Sequence, residues 1–240
     1  MTAIRQLAAE LTDVLALTHP PLAIVFSDDA IEGVAPYREP MPEALDDGRT
    51  GRVPAGCVFW IKAAGGTFST VAEDHANCSV GSVTHGLKTL EQVAEKSDVA
   101  AIVGAGWVDP EVFPEIPVVS HRYRHVVYGP LVECPVEVPD VVFLRINAKQ
   151  AMVLSDALPD LAFEGKPQCH IVPMAKEGGR VAVSVGCMLS RVRTGMTNTE
   201  MTCAIPGARL EEVVRKVRTT VDVDATVAAY AAEDARRFQA

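Results

Sequence analysis

An α/β (α+β) protein is what the sequence predicts: one domain over residues 1–240, made of two pseudo-repeated halves, approximately 1–128 and 129–240. Each half is expected to carry a β-hairpin plus helices around mixed sheet. Three observations carry that expectation. A hydrophobic content of 48% in 240 residues can bury a substantial core. Short β-branched apolar runs alternate along the chain with segments of helical spacing. The order of those elements in the first half also recurs in the second.

Leu7, Leu11, Val14 and Leu15 recur at helical spacing, and the helix they predict ends near His19-Pro20-Pro21, because proline cannot continue a helix. Residues 22–26 then read as a buried strand closed by Ser27-Asp28-Asp29, and residues 35–54, rich in Pro, Asp and Gly, as a loop. Cys57–Lys62 is expected as a strand, Ala63-Ala64-Gly65-Gly66 as a turn, and residues 67–70 as a β-prone stretch leading to Cys78. Val83, Leu87, Leu90 and Val93 predict a helix over 78–97, followed by a buried strand over 99–103. Val118-Val119 and residues 125–128 supply further strand material. Residues 141–146, entered through Pro139-Asp140, form the clearest strand, and 147–158 a helix with Met152 and Leu154 toward the core. A second β pair, 169–174 and 180–185, is expected around Glu177-Gly178-Gly179. Two helices, about 208–219 and 225–238, close the chain.

Set side by side, both halves run through an apolar strand (22–26 or 141–146), a cysteine, a Gly-Gly turn and a second cysteine. Twenty residues separate Cys57 from Cys78 and seventeen separate Cys169 from Cys187. If each pair brackets a Gly-Gly hairpin, its two thiols meet at the hairpin's open end, and a pseudo-twofold would gather all four.

Composition narrows the function. With 22 basic and 31 acidic residues, a net charge of −9, the chain lacks the electrostatic footprint of a nucleic-acid binder. Arg5, Glu10 and Asp13 interrupt the first apolar pattern, which reads as a folded helix and not a signal peptide, and no run approaches the ~18–20 apolar residues of a membrane span. Six cysteines are then expected in a reducing, cytoplasmic setting as core residues, metal ligands or reactive thiols. Gly104-Ala105-Gly106 is followed by Trp107-Val108-Asp109, so no dinucleotide fingerprint exists, and Walker A and GxSxG motifs do not occur.

Four cysteines, Cys57, Cys78, Cys169 and Cys187, suit an iron–sulfur cluster or tetrahedral zinc, although neither pair has CxxC spacing. Buried apolar filler is the alternative reading of any free cysteine. Cys78 follows the polar stretch Glu73-Asp74-His75-Ala76-Asn77, and Cys187 follows Gly186 at a strand-to-helix corner. Both are addresses where ligands or nucleophiles are found. Cys134 and Cys203 have no such setting and are expected to be structural. Glu73, Asp74 and His75 are acid/base candidates, with a capping loop as the alternative. His85, two turns past Cys78, reads first as a core or surface histidine. Arg191, expected on the helix after Cys187, could bind a carboxylate or balance cluster charge, or make a surface ion pair. His121, Arg122, Arg124 and His125 form a local basic cluster.

Over nearly its whole length the sequence resembles the family catalogued as domain of unknown function 169, an archaeal-type conserved region (ArCR-like). The resemblance is carried by Pro21-Leu22-Ala23-Ile24-Val25-Phe26, the Cys57 and Cys78 segments, Pro139-Asp140-Val141-Val142-Phe143, Gln150-Ala151-Met152, Cys169, Gly186-Cys187 through Arg191, Glu200-Met201 and Ile205-Pro206. It implies a widespread prokaryotic cytosolic protein and supports the quartet without naming a substrate.

The function expected is therefore an iron–sulfur protein in which Cys57, Cys78, Cys169 and Cys187 hold one [4Fe–4S] cluster between the two halves. Glu73, His75 and Arg191 are the catalytic candidates for redox or non-redox chemistry on a small molecule. The alternatives are a ligand-binding or regulatory module with structural or zinc-bound cysteines, and a thiol enzyme or redox sensor at Cys78 or Cys187. A small-molecule substrate or an electron-transfer partner is expected, neither nucleic acid nor membrane, and self-association into a homo-oligomer is compatible with the sequence.

Overall fold

The structure is a computed structural model and describes residues 3–37, 57–75, 78–164 and 167–238. The loop expected over 35–54 lies, beyond Tyr37, outside the described residues. Among the described residues, fifteen α-helices and strands make up the frame, and they follow the chain in this order. Helix α1 (Ala3–Leu15) leads into β1 (Leu22–Ser27), α2 (Cys57–Lys62), β2 (Phe68–Thr70), α3 (Ser79–Thr84), α4 (Ser97–Gly104) and β3 (His125–Pro130). Then come β4 (Val141–Asn147), α5 (Ala148–Ala157), β5 (Ala162–Glu164), α6 (Ile171–Lys176), β6 (Ala182–Ser184), α7 (Met188–Thr194), β7 (Glu200–Pro206) and α8 (Leu210–Phe238).

The strands form one mixed sheet of seven in the order β2-β3-β1-β4-β7-β6-β5. All neighbours are antiparallel except β5 and β6, which run parallel. β1 and β4 lie at the centre, where Leu22 opposes Phe143 and Ile24 opposes Val141. Covered on both faces, they are apolar almost throughout, as central strands must be. Asp140, just before β4, accepts from the Phe26 amide at 2.7 Å and from Lys176 Nζ at 2.6 Å, tying β1, β4 and α6 together.

Side chains alternate across the sheet and divide the core in two. One layer joins Val142, Leu144 and Ile146 of β4, Cys203 and Ile205 of β7 and Val183 of β6 to α1, α5 and α8. The other joins Leu22, Ile24 and Phe26 of β1, Phe143 of β4 and Ala204 of β7 to α2 and α6. α5 starts in a capping box in which Asn147 and Gln150 satisfy each other's backbone amides. The buried Gln150 amide also donates to the carbonyls of Leu15 (2.8 Å) and Ala16 (3.1 Å), closing the end of α1 against the start of α5. In α5 Leu154 is buried as expected, whereas Met152 is 44% exposed.

Several expected elements take another form. Cys57–Lys62 is α2 rather than a strand, and residues 169–174 pass from the 3-10 turn Gln168–His170 into α6. Each run has a single polar side chain beside its apolar ones, Lys62 in the first and His170 in the second, too few to set a period that distinguishes helix from strand. Residues 99–103 belong to α4, where Val99 packs with Val83 and Val93 away from the sheet. The helix expected over 78–97 stops at Thr84, because Gly86 adopts φ +70° and lies so close to Val119 O that a side chain would collide with it. Val118-Val119 forms no strand; the Val119 amide instead donates to Thr84 O at 2.9 Å. The two C-terminal helices are one, α8, whose buried residues end at Val217.

The hairpins expected around the Gly-Gly turns are replaced by helix–turn–strand units. β2 pairs with β3, and β6 with β5 and β7. Each cysteine pair brackets a short helix, a Gly-Gly turn and one strand: α2 to β2 in the first case, α6 to β6 in the second. No described helix is long and apolar enough to cross a membrane.

Candidate functional site

The four quartet cysteines occupy four short segments on the α2/α6 side of the sheet. Cys57 is the first residue of α2, Cys169 lies in the 3-10 turn before α6, and Cys78 and Cys187 are the N-cap residues of α3 and α7. All four line one pocket, together with Trp60, Trp107, Pro167, Gln168 and Arg193. Cys134 and Cys203 pack on the opposite face of the sheet, against the α1/α5/α8 layer.

Local geometry fits each segment to a sulfur. At Gly81 a Cβ would sit 3.2 Å from Cys78 Sγ, so a side chain there would press on the sulfur. Asp98 of α4 anchors the start of α3 by accepting from Ser79 N (2.9 Å) and Ser79 Oγ (2.7 Å). Cys187 Sγ accepts from the Ser190 amide at 3.3 Å in a reciprocal cap. Gly186 takes φ +91°, a conformation that L side chains rarely adopt, and a Cβ there would crowd Gln168 Oε1 at 3.1 Å.

Burial raises the thiol pKa of Cys57, Cys78 and Cys169, since the anion is disfavoured away from water. Neighbouring thiols of the quartet push each of the three further up, and Arg193 opposes the rise at Cys57 and Cys78. Without a cation the three thiols are held protonated at neutral pH; a metal group would reverse that preference by binding the thiolates.

Buried polar atoms without partners mark the same pocket. Trp60 Nε1, on a ring stacked 4.2 Å from Phe143, and both amide atoms of Gln168 lack hydrogen-bond partners. Trp60 is 2% exposed and Gln168 1%. Such atoms are costly unless something in the pocket engages them. By type and number the donors fit an iron–sulfur cluster: four thiols, with N–H groups and a guanidinium at hand for its sulfurs and charge. As the side chains stand, no group of three or more His, Cys, Asp or Glu among the described residues could hold a metal ion.

The acid/base candidates lie elsewhere, and none of Glu73, His75 and Arg191 lines the pocket. Glu73 is exposed in the 3-10 turn Ala72–His75. His75 is fully buried, its Nε2 3.0 Å from Thr70 Oγ1, whose own proton goes to Val126 O at 2.8 Å. Nε2 is therefore the donor of that pair, and Nδ1 keeps a lone pair without a partner. Its pKa lies well below the usual value because of burial and then the charges of His85 and Lys88. His85 is a core histidine whose Nδ1 donates to Gly81 O at 2.9 Å, with its pKa lowered by burial to about 4. Arg191 braces the α7–β7 connection by donating to the carbonyls of Val185 (2.6 Å), Glu200 (2.9 Å) and Thr197. The basic cluster is met by the chain's own acids, His121 by Asp28 at 3.0 Å and Arg124 by Asp29 at 2.6 Å.

Sequence reasoning missed Arg193, Trp60 and Gln168. Gln168 directly precedes Cys169, and Trp60 lies within the short helix that Cys57 opens, so proximity to a ligand candidate was the available signal.

No curated protein and no solved structure matches the chain. A family model described as Uncharacterised ArCR matches residues 10–216, a stretch that includes every cysteine of the chain, and the protein belongs to that family, DUF169.

Proposed function

We propose that the protein is an iron–sulfur cluster-binding protein of the reducing cytoplasm, with Cys57, Cys78, Cys169 and Cys187 holding one [4Fe–4S] cluster beside a small-molecule site. The observation that carries this reading is that four thiols from four separate segments line a single pocket while the two remaining cysteines lie across the sheet. Bound there, the cluster would supply one-electron chemistry, or a Lewis-acidic iron if one cysteine stays unligated.

The chain's own residues have separable tasks. Arg193 offsets negative charge at Cys57 and Cys78. The Trp60 indole N–H and the Gln168 amide offer hydrogen bonds that no protein atom takes. Burial of Cys57 and Cys169 excludes water from those two sulfurs and protects them against oxidation. A lone zinc ion fits less well, since Zn–S bonds near 2.3 Å require sulfurs about 3.8 Å apart. The quartet rings a pocket, and no trio stands gathered for one ion. Proton transfer by Glu73 or His75 is not part of this proposal, because neither reaches the pocket.

The halves 1–128 and 129–240 are read as related units, each contributing two ligands. In support, β3 and β2 follow β1 outward on one side of the sheet as β7 and β6 follow β4 on the other.

Anaerobic purification or reconstitution, with iron, sulfide and zinc analysis and a visible spectrum, tests the assignment. Iron and sulfide with broad visible absorption are expected. Stoichiometric zinc, or a colourless iron-free protein, overturns it in favour of a zinc-bound or purely structural quartet. Selective alkylation of Cys78 or Cys187 in native metal-free protein would point to thiol chemistry.

A further inference from the structure

Two apolar cavities adjoin the thiol pocket. One, of about 450 Å³, lies among α3, α4 and the 3-10 turn Pro110–Glu115, with Val83, Val99, Val103 and Phe113 on its walls. The other, of about 210 Å³, runs between Trp107, Val112 and His170. Val80 of α3 and Ile102 of α4 border both cavities and the thiol pocket. Trp107 and Pro167 are shared by the smaller cavity and the thiol pocket. These shared side chains make the three spaces neighbours, a recess in three parts with sulfur in one. Each cavity exceeds the ~150 Å³ that holds a benzene molecule in a protein core.

The polar groups that meet this recess specify a ligand. His170 is 8% exposed; its Nδ1 lies 3.5 Å from Glu164 Oε1 and its Nε2 has no partner. The carboxylate places the ring proton on Nδ1, which leaves Nε2 an unpartnered acceptor on a residue that lines the smaller cavity. Gln168, on the same 3-10 turn, lines the thiol pocket and has an unengaged N–H and C=O. The carboxylates on the cavity walls, Glu91 and Asp109, are both exposed and would repel an anion. A charge buried against the apolar walls of the two cavities would lose its hydration without gaining a partner, since the one lining cation among the described residues, Arg193, stands in the thiol pocket, where Cys57 and Cys78 already draw on its charge.

We infer that the recess binds the substrate of the thiol site, a small neutral molecule with an apolar body and a terminal hydroxyl. The hydroxyl donates to His170 Nε2 and accepts from the Gln168 amide, beside the thiols, while Val80 and Ile102 grip the body. The inference rests on the reading of the thiol pocket as the reacting end.

The test uses the full chain, prepared both with and without iron, and three probes of one shape: 4-methylphenol, toluene and 4-methylbenzoate. Binding is read from tryptophan fluorescence, to which Trp107 contributes, and from the rise in Tm. 4-Methylphenol should bind about tenfold more tightly than toluene, the worth of one well-placed polar partner, and 4-methylbenzoate should not bind. His170→Phe and Gln168→Leu should each erase the preference for the phenol over toluene while leaving toluene binding in place. Val80→Phe and Ile102→Phe, folded by circular dichroism, should lose both ligands. Equal affinity for phenol and toluene, failure of every probe, or binding indifferent to both plugging substitutions overturns the inference. Phenol binding in a protein that never takes up iron counts against the cluster alone, so the two failures are distinguishable.

Discussion

On one face of the sheet α1, α5 and α8 lay down an aliphatic layer in which Leu11, Leu144, Leu154, Val213 and Val217 are fully buried. On the other, α2 and α6 bring Phe59, Trp60, Tyr128, Cys57 and Cys169 together. The unpartnered Trp60 Nε1, Tyr128 hydroxyl, Gln168 amide and His75 Nδ1 belong to this second face, where His75 packs against Phe59 and Tyr128. Among the described residues, no buried side-chain polar atom of the first face lacks a hydrogen-bond partner. The second carries the desolvation cost of polar atoms that the protein itself leaves unsatisfied, a cost natural proteins bear where a ligand or a reaction repays it. The same strands thus anchor a closed stabilising layer and a chemically open one.

The largest expected contrast is between cysteines on the two faces. Cys57→Ser or Cys169→Ser should abolish the visible iron–sulfur spectrum, whereas Cys203→Ser should keep it at full iron content and cost about 1–3 kcal/mol for placing a hydroxyl in the aliphatic layer. Loss of iron in both classes would break the distinction. Next, Leu144→Ala should lower unfolding free energy by about 2–5 kcal/mol through the cavity it leaves, without changing iron per folded molecule. Urea denaturation and metal analysis on one preparation check both halves of that statement.

A third contrast is pH dependence. His85 titrates near 6.5 when unfolded and at about 4 when folded, because burial disfavours its charged form. Above pH 6.5 it is neutral in both states and contributes no dependence. Below that value the unfolded chain takes up a proton that the native state refuses, so stability falls until the pH reaches about 4, by roughly 3 kcal/mol from this one group. His75, lowered in the same direction, adds to the slope. In His85→Asn, denaturation midpoints measured from pH 7 down to 4.5 should show a shallower acid limb; an unchanged slope would remove His85 from the account.

The smallest effect belongs to the end of α8, a 29-residue helix about 43 Å long. Val223, Val227 and Tyr230 are 59%, 59% and 69% exposed, so ending the chain at Asp222 should shift stability by no more than about 1 kcal/mol, mostly from the lost Lys149–Asp224 pair. A larger loss would mean that the closed face extends further along the helix.

Legibility followed the physics of each segment. α1 was readable because its leucines repeat on one face, although it ends at Leu15, where Ala16 turns left-handed (φ +49°), and not at the prolines. β1 and β4 were readable because short β-branched runs are bounded by Pro and Asp. α2 and α6 were not, since a six-residue helix whose one charged side chain is its last residue has no polar stripe to reveal its period. The quartet could be picked out from the order of elements, but the route by which its members meet could not: helix starts deliver the thiols, not hairpin ends. Arg193 escaped notice, and Arg191 was favoured over it, because which of two arginines on a short helix faces a pocket is decided by packing. Arg191 is committed to three backbone carbonyls and Arg193 is the one that lines the pocket.

The placement of four thiols on one pocket has a further consequence in chain statistics. A group that bridged them would close three loops at once, between positions 57 and 78, 78 and 169, and 169 and 187. Closure entropy grows only with the logarithm of loop length, so the middle interval, although four to five times longer, costs only about 1 kcal/mol more to close than either short one. The three closures therefore weigh nearly alike, and the one that joins the first cysteine pair to the second is the largest of them. A bridging group would act as the knot that makes two stretches of chain, each held by short helices of six or seven residues, unfold as one.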